Sequence, residues 1–395
     1  MQWKRRGSLL LIGLAFVIAP FGAVIASGTA AAAGSTCTWT GSGDGTSWSD
    51  SGNWSGCGGE PQNGDSLAFD SSGLSTDTFL SNDLSNLQVG SITFSGSGPY
   101  GYIINGNAIS LNNGILDSAP SNVTGLNLAI TLTSNQTFIT TSATGTLDVG
   151  NSTFNIGSYN LQVGGAGWTQ IDAAIVGSGT MAFNGNASAI YLLYGNNSGF
   201  SGPVNIAGGT LIINAGYTDP LGTSHVTIAN GATLQESINA NGTYTVANPI
   251  TLAGNGANNA SYGAGALIVH GYSASGTVNF TGPITLAGNA TVGLVGANAS
   301  ITGSVSGCGY NLSTATGASG TLTGTLAGSC GSNPGTNSSN SGITDPSSAP
   351  AAPNTGYGRP LGFDPIAAVL VVGSTITMGT GLAVIYCQPR NHKHP

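Results

Sequence analysis

From about Asp65 to Cys330 the apolar residues come in short alternating runs, each closed by Gly or Asn. Val89-Gly90-Ser91-Ile92-Thr93-Phe94, Ala129-Ile130-Thr131-Leu132 and Gly145-Thr146-Leu147-Asp148-Val149 are typical, and 160–163, 209–213, 225–228 and 283–286 read the same way. Runs of roughly three to six residues, rich in Val, Ile, Thr and Leu and bounded by turn residues, predict strands. No stretch of this region carries a helical period. The pattern therefore predicts an all-β body over 65–330.

Some phrases recur. Asn248-Pro249-Ile250-Thr251-Leu252-Ala253-Gly254-Asn255 returns as Gly282-Pro283-Ile284-Thr285-Leu286-Ala287-Gly288-Asn289, and 200–208 is a looser copy. Short strands repeated with turns point to a solenoid, in which each unit covers the apolar face of the next. A right-handed parallel β-helix is the expected form. Its coils would stack at about 4.8 Å, so roughly 20–25 residues per coil gives about 10–13 coils and a rod ~50–60 Å long. Tandem β-sandwiches are the alternative. A solenoid needs caps, and 34–64 is placed for one. This segment holds Trp39, Trp48 and Trp54, three of the five tryptophans. They read either as a lid over the first coil or as an aromatic platform for a glycan. Asp44 and Asp50 are the nearby acids for a Ca²⁺ site; no cofactor is otherwise implied.

The two ends break the pattern. Residues 1–33 have the three parts of an export signal: basic Lys4-Arg5-Arg6, an apolar run from Leu9 to Ile25, and small Ala31-Ala32-Ala33. At the other end 331–352 is rich in Ser, Asn, Pro and Gly and reads as a flexible stalk. Ala352-Pro353-Asn354-Thr355-Gly356 follows. An apolar run over 366–387 is long enough to cross a bilayer as a helix, and 388–395, with Arg390 and Lys393, forms a basic cytoplasmic tail.

Charge sharpens the reading. Only 5% of residues are charged, and all six basic ones lie at the ends: Lys4, Arg5, Arg6, Arg359, Arg390 and Lys393. A body without cations cannot neutralise phosphates, which excludes nucleic acid as a partner and electrostatic docking on anionic lipid. Cys37 and Cys57 flank the Trp-rich segment, and Cys308 and Cys330 flank the end of the repeats. In an exported chain two local disulfides, Cys37–Cys57 and Cys308–Cys330, are the natural pairing, with other pairings open. No Cys-x-x-Cys or His cluster accompanies them, so no metal site is expected.

The C-terminal order of pentapeptide, apolar helix and basic tail resembles the sorting signal of sortase-anchored bacterial surface proteins. Pro353, Thr355 and Gly356 match its Leu-Pro-x-Thr-Gly motif; Ala352 stands where the family usually has Leu. The resemblance implies that a sortase-type transpeptidase cleaves after Thr355 and joins it to a cell-wall peptide. The phrases Gly179-Thr180-Met181-Ala182-Phe183-Asn184-Gly185, Phe200-Ser201-Gly202, Gly209-Thr210-Leu211, Leu221-Gly222 and Gly231-Ala232-Thr233-Leu234 resemble the autotransporter-associated β-helix repeat. That likeness implies a parallel β-helix with an adhesive or display role. Autotransporters end in a β-barrel, whereas this chain ends in an apolar segment.

Catalysis is not expected. The acids are scattered, with no Asp-Asp or Asp-x-Asp pair, and no Arg or Lys between Gly34 and Thr355 is present to act as base. His225 and His270 lie in strand-like phrases 45 positions apart. The expected function is an adhesin or display protein at the surface or wall of a bacterium, touching a host, a neighbouring cell or a glycan. The alternatives are a coat rod without a specific ligand and a polysaccharide-degrading β-helix.

Overall fold

Alternation places every second side chain of the short runs in one shared interior. In the strand Ser66–Asp70, Leu67 and Phe69 are buried while Ala68 is half-buried and Asp70 exposed. The same in-out rhythm holds in Ile92–Ser95, Gln136–Thr140 and Gly276–Phe280. A computed structural model describes residues 34–329, apart from 121–122, 151, 215, 218, 258–262 and 273–275. The expected export segment 1–33, Cys330, the stalk, the sorting motif, the apolar span 366–387 and the basic tail lie outside the described residues.

The described strands form a parallel β-solenoid of about 11 turns. At about 4.8 Å per turn the stack is ~50 Å long. No described residue lies in an α-helix. All strand pairings are parallel except Trp39 with Trp54 in the cap and a bridge between Asn311 and Ala327. Tandem sandwiches require antiparallel sheets, so that alternative is not the fold of these residues.

Three ladders run along the stack. The first carries a column of eleven buried residues joined pairwise in register: Cys37, Leu67, Ile92, Ile115, Phe138, Val163, Phe183, Ile206, Ile228, Leu252 and Leu286. Full burial of such a side chain contributes about 1.5–3 kcal/mol. The recurring phrases meet here, because Ile250, Thr251 and Leu252 pair with Ile284, Thr285 and Leu286. The second ladder stacks Leu80, Ile104, Leu126, Val149, Ile171, Leu193 and Ile213, then Glu236, then Val269 and Leu294. Two long strands, Val204–Asn214 and Ile284–Val295, turn a corner and serve both ladders. At another turn the chain needs Gly165, with φ at 111°, where a Cβ would drive into the carbonyl of Thr140 one coil away.

The third ladder is interrupted. Five strands from Leu87–Val89 to Ala174–Gly177 form one sheet, and four from Gly242–Val246 to Leu322–Gly324 form another. Between them Phe200 makes a single bridge to Gly177. The following coil has turns near Pro220–Thr223 in place of a strand. One further irregularity follows. Ile250 and Leu267 stand 17 positions apart, whereas the equivalent Val226 and Leu234 stand eight apart, so this coil carries an insertion at its corner.

The Trp-rich segment caps the first coil. Trp39, Trp48 and Trp54 are all buried, and each packs against Phe69 with ring centroids 5.9–6.3 Å apart. Trp54 donates its ring N–H to the Trp48 carbonyl at 2.8 Å. A disulfide joins Cys37 to Cys57 across this cap. Cys308 is disulfide-bonded too.

Candidate binding face

A coil of about 22 residues stacks positions that look scattered in the sequence. Asp148 in Thr146–Val149 pairs in register with Gln170 in Trp168–Ile171. Strand residues two apart share a side, so Trp168 and Gln170 lie on the outer face, and Asp172 follows just past the strand end. Gln170 donates its amide N–H to Asp172 Oδ2 at 2.7 Å. Burial raises the Asp148 carboxyl to about 7, and the charge of Asp172 adds to the shift. Burial also raises Asp172, against the Gln170 hydrogen bond, which lowers it. One oxygen of each carboxyl, Oδ1, has no hydrogen-bond partner.

Aromatic rings stand on the same and neighbouring coils, and Tyr217 lies near enough to Asp172 to feel its charge. Trp168 is 38% exposed, although it sits in a strand. One coil on, Tyr194 stacks on Tyr217 with centroids 5.6 Å apart and planes at 9°. Tyr194 also packs on a small apolar cluster of Ile190, Leu192 and Ile212, separate from the main core. Flat rings beside carboxyl and amide groups match a polyol ligand. The rings cover its C–H faces, and the polar groups bond its hydroxyls.

The residues singled out in the sequence fare differently. Trp39, Trp48 and Trp54 turn inward, Trp54 packing edge-on against the other two, so no ring face is left for a sugar; the platform reading gives way to the lid. Asp44 and Asp50 do not present free carboxylates. Asp44 Oδ1 accepts from the backbone N–H of Thr46 and Ser47 and from Asn53 Nδ2, at 2.7–2.8 Å. Asp50 accepts from Asp44 N–H and Gly52 N–H. These donors hold the Asp44 carboxyl far below its ordinary range, hydrogen bonding with Ser47 contributing most. The sulfurs of Cys37 and Cys57 lie within 4.8 Å of an Asp65 oxygen. Because the sulfurs are bonded to each other, neither is a thiolate able to take a metal.

His225 is exposed and shares a hydrogen bond with Thr251 at 3.0 Å. His270 is half-buried on the second ladder, with its ring 4.2 Å from that of Tyr272, and burial lowers its pKa. Local spacing in the sequence carries no trace of the grouping of Asp148, Trp168, Gln170 and Asp172.

Comparisons with known protein families, with curated proteins and with solved structures find no match.

Proposed function

We propose that this chain is an exported, cell-surface-anchored β-solenoid acting as an adhesin or surface-display protein of a bacterium. The order of parts in the sequence carries this reading: export signal, cation-free repeat body, stalk, Pro-x-Thr-Gly motif, apolar run and basic tail. In this reading the coils are right-handed, as the crossover preference for parallel strands favours. Residues 366–387 form a transmembrane helix that halts export. A sortase-type transpeptidase then acts on Ala352-Pro353-Asn354-Thr355-Gly356 and joins Thr355 to a cell-wall peptide. Cys308–Cys330 closes the far end as Cys37–Cys57 closes the near one. A host or neighbour-cell glycan is the partner class that fits the Trp168, Gln170, Asp148 and Asp172 face.

Mass spectrometry of the producing cell's envelope tests the anchoring. A C-terminal peptide ending at Thr355 and linked to a wall peptide is expected; an intact peptide through Pro395 refutes sorting. Binding of the purified protein to a glycan array tests recognition. A folded sample that binds nothing leaves the coat-rod reading in its place.

One observation favours a second reading, polysaccharide hydrolysis. Asp148 and Asp172 come from adjacent coils, and both carboxyls are raised by burial. A general acid needs a carboxyl that keeps its proton near neutral pH. Release of reducing ends from an array-positive glycan, lost in Asp148→Asn, would establish it.

A further inference from the structure

The break in the third ladder opens the solenoid interior at one place, and an acid sits there. Glu236 lies in the inward column of the second ladder, paired with Ile213 on one side and Val269 on the other. It is 2% exposed, and its Oε1 has no hydrogen-bond partner. It lines a cavity of about 450 Å³ together with Ile213, Leu221, Tyr217, Tyr244 and Asn248, with Asp219 exposed at the rim. That volume falls in the range of small-molecule sites, about 300–1,000 Å³.

We propose that this cavity binds a small organic ammonium ion, whose positive charge and N–H donors are met by Glu236.

Three observations converge on that ligand class. The first is charge. A lone carboxylate in the interior costs several kcal/mol unless a counter-charge reaches it. This chain has no Lys or Arg between Gly34 and Thr355 to provide one. Among the described residues, the titratable groups lining the cavity with Glu236 are Asp219, Tyr217 and Tyr244. Glu236 therefore either keeps its proton or, once ionised, takes its counter-charge from outside the body.

The second is hydrogen-bonding polarity. Asn248 has given its amide hydrogens to the carbonyls of Gly222 and Ser224, each at 3.0 Å, so it can offer a ligand only its oxygen. Tyr244 donates its hydroxyl to the Ala240 carbonyl at 2.9 Å, so it too can only accept. Glu236 and Asp219, once ionised, are acceptors. Glu236, Asp219, Asn248 and Tyr244 thus favour a donor-rich guest, and the hydroxyls of Thr223 and Thr245 can adapt to it.

The third is the wall. Ile213 and Leu221 are apolar, and Tyr244 and the face of Tyr217 that Tyr194 leaves uncovered add ring surface that attracts a cation. Ca²⁺ would want six to eight oxygens around it. Hydrocarbon and ring surface instead suits a cation that carries carbon.

Binding has a proton signature. With no partner, burial holds the Glu236 carboxyl up to about 8, so it is mostly neutral at pH 7. An ammonium favours the carboxylate, so binding at pH 7 expels a proton, and affinity rises about tenfold between pH 7 and pH 9. Isothermal titration calorimetry of the whole chain with ethanolamine tests this, in buffers of different ionisation enthalpy. The expected result is one site, close to one proton released at pH 7, and the pH trend given above. Tetramethylammonium, which has charge but no N–H, should bind more weakly, and neutral ethylene glycol should not bind. Glu236→Gln should lose at least tenfold in affinity and all proton release. Glu236→Val keeps the aliphatic column and guards against misfolding; it should remain folded and not bind. Ethanolamine failing to bind the folded wild type overturns the proposal. So does unchanged binding in Glu236→Val, equal binding of ethylene glycol, or displacement of ethanolamine by stoichiometric Ca²⁺.

Discussion

Glu236 pairs in register with Ile213, so an acid occupies an interior rung where the neighbouring coil places a hydrocarbon. Burial raises Glu236 from 4.5 to about 8, Asp148 from 3.8 to about 7 and Asp117 from 3.8 to about 6. All three shifts are upward. The folded chain therefore keeps protons that the unfolded chain releases near pH 4, and the stability they contribute is lost as pH rises through the raised values. The protein should be most stable in mild acid and lose melting temperature steadily from about pH 4.5 to pH 8. Below pH 4 the exposed Asp44, shifted downward, acts in the opposite sense. A melting temperature that climbs between pH 5 and pH 8 would contradict this account.

Glu236→Val should stabilise the fold at pH 8. The change removes a buried acid and continues the column toward Val269. Replacing a buried charge-bearing group by a fitting apolar one commonly gains about 1–4 kcal/mol. Denaturant unfolding at pH 5 and pH 8 should show a smaller gain at pH 5, where the folded wild-type acid keeps its proton and little of the stability linked to it has yet been lost.

Asn53→Ala should loosen the cap. Asn53 is fully buried. Its Oδ1 accepts from the N–H groups of Gly43 and Gly45, and its Nδ2 donates to Asp44 and to the Ser47 carbonyl. Orphaning such groups costs about 1–3 kcal/mol apiece at most sites, so a loss of about 2–4 kcal/mol is expected. Hydrogen exchange should quicken first at residues 40–55, and late coils should be unaffected.

Reducing the Cys37–Cys57 bond should cost about 3 kcal/mol, the usual worth of closing a loop of similar length; the bond spans 20 positions. Cys37→Ser with Cys57→Ser should melt at the same temperature as the reduced protein, measured with Cys308 blocked in both samples.

Trp168→Ala separates the binding face from the lid. Trp168 is partly exposed, so its loss should change stability by less than about 1 kcal/mol while weakening glycan binding at least tenfold. Trp48→Ala should behave in reverse, costing about 3–5 kcal/mol and leaving the affinity of the folded fraction unchanged. Equal effects of the two changes on binding would remove the outer face as the recognition surface.

Much of the solenoid was legible because its repeat is local. Ile250-Thr251-Leu252 and Ile284-Thr285-Leu286 share words, and each strand names its own inner residues by alternation. The lid was legible as a cap, but the direction of Trp39, Trp48 and Trp54 was not, since a tryptophan that covers a core and one that stacks on a sugar look alike in one dimension. The pairing of Asp148 with Gln170 was hidden because coil lengths vary: successive partners on the first ladder stand 20 apart at Leu161 and Met181 but 34 apart at Ile250 and Ile284. No fixed period predicts which outward residues meet.

By itself the sequence determined the secondary structure, the stacking of like side chains and a body without cations, because alternation and composition act over a few residues. Only the tertiary structure decided that the third ladder breaks beside the turns near Pro220–Thr223, that Glu236 faces the opening, and that Asp148 and Asp172 reach adjacent coils. Burial and missing hydrogen-bond partners are properties of neighbours about 22 or more residues away. Those neighbours, more than the residue type, turn an ordinary Glu or Asp into a group with work to do.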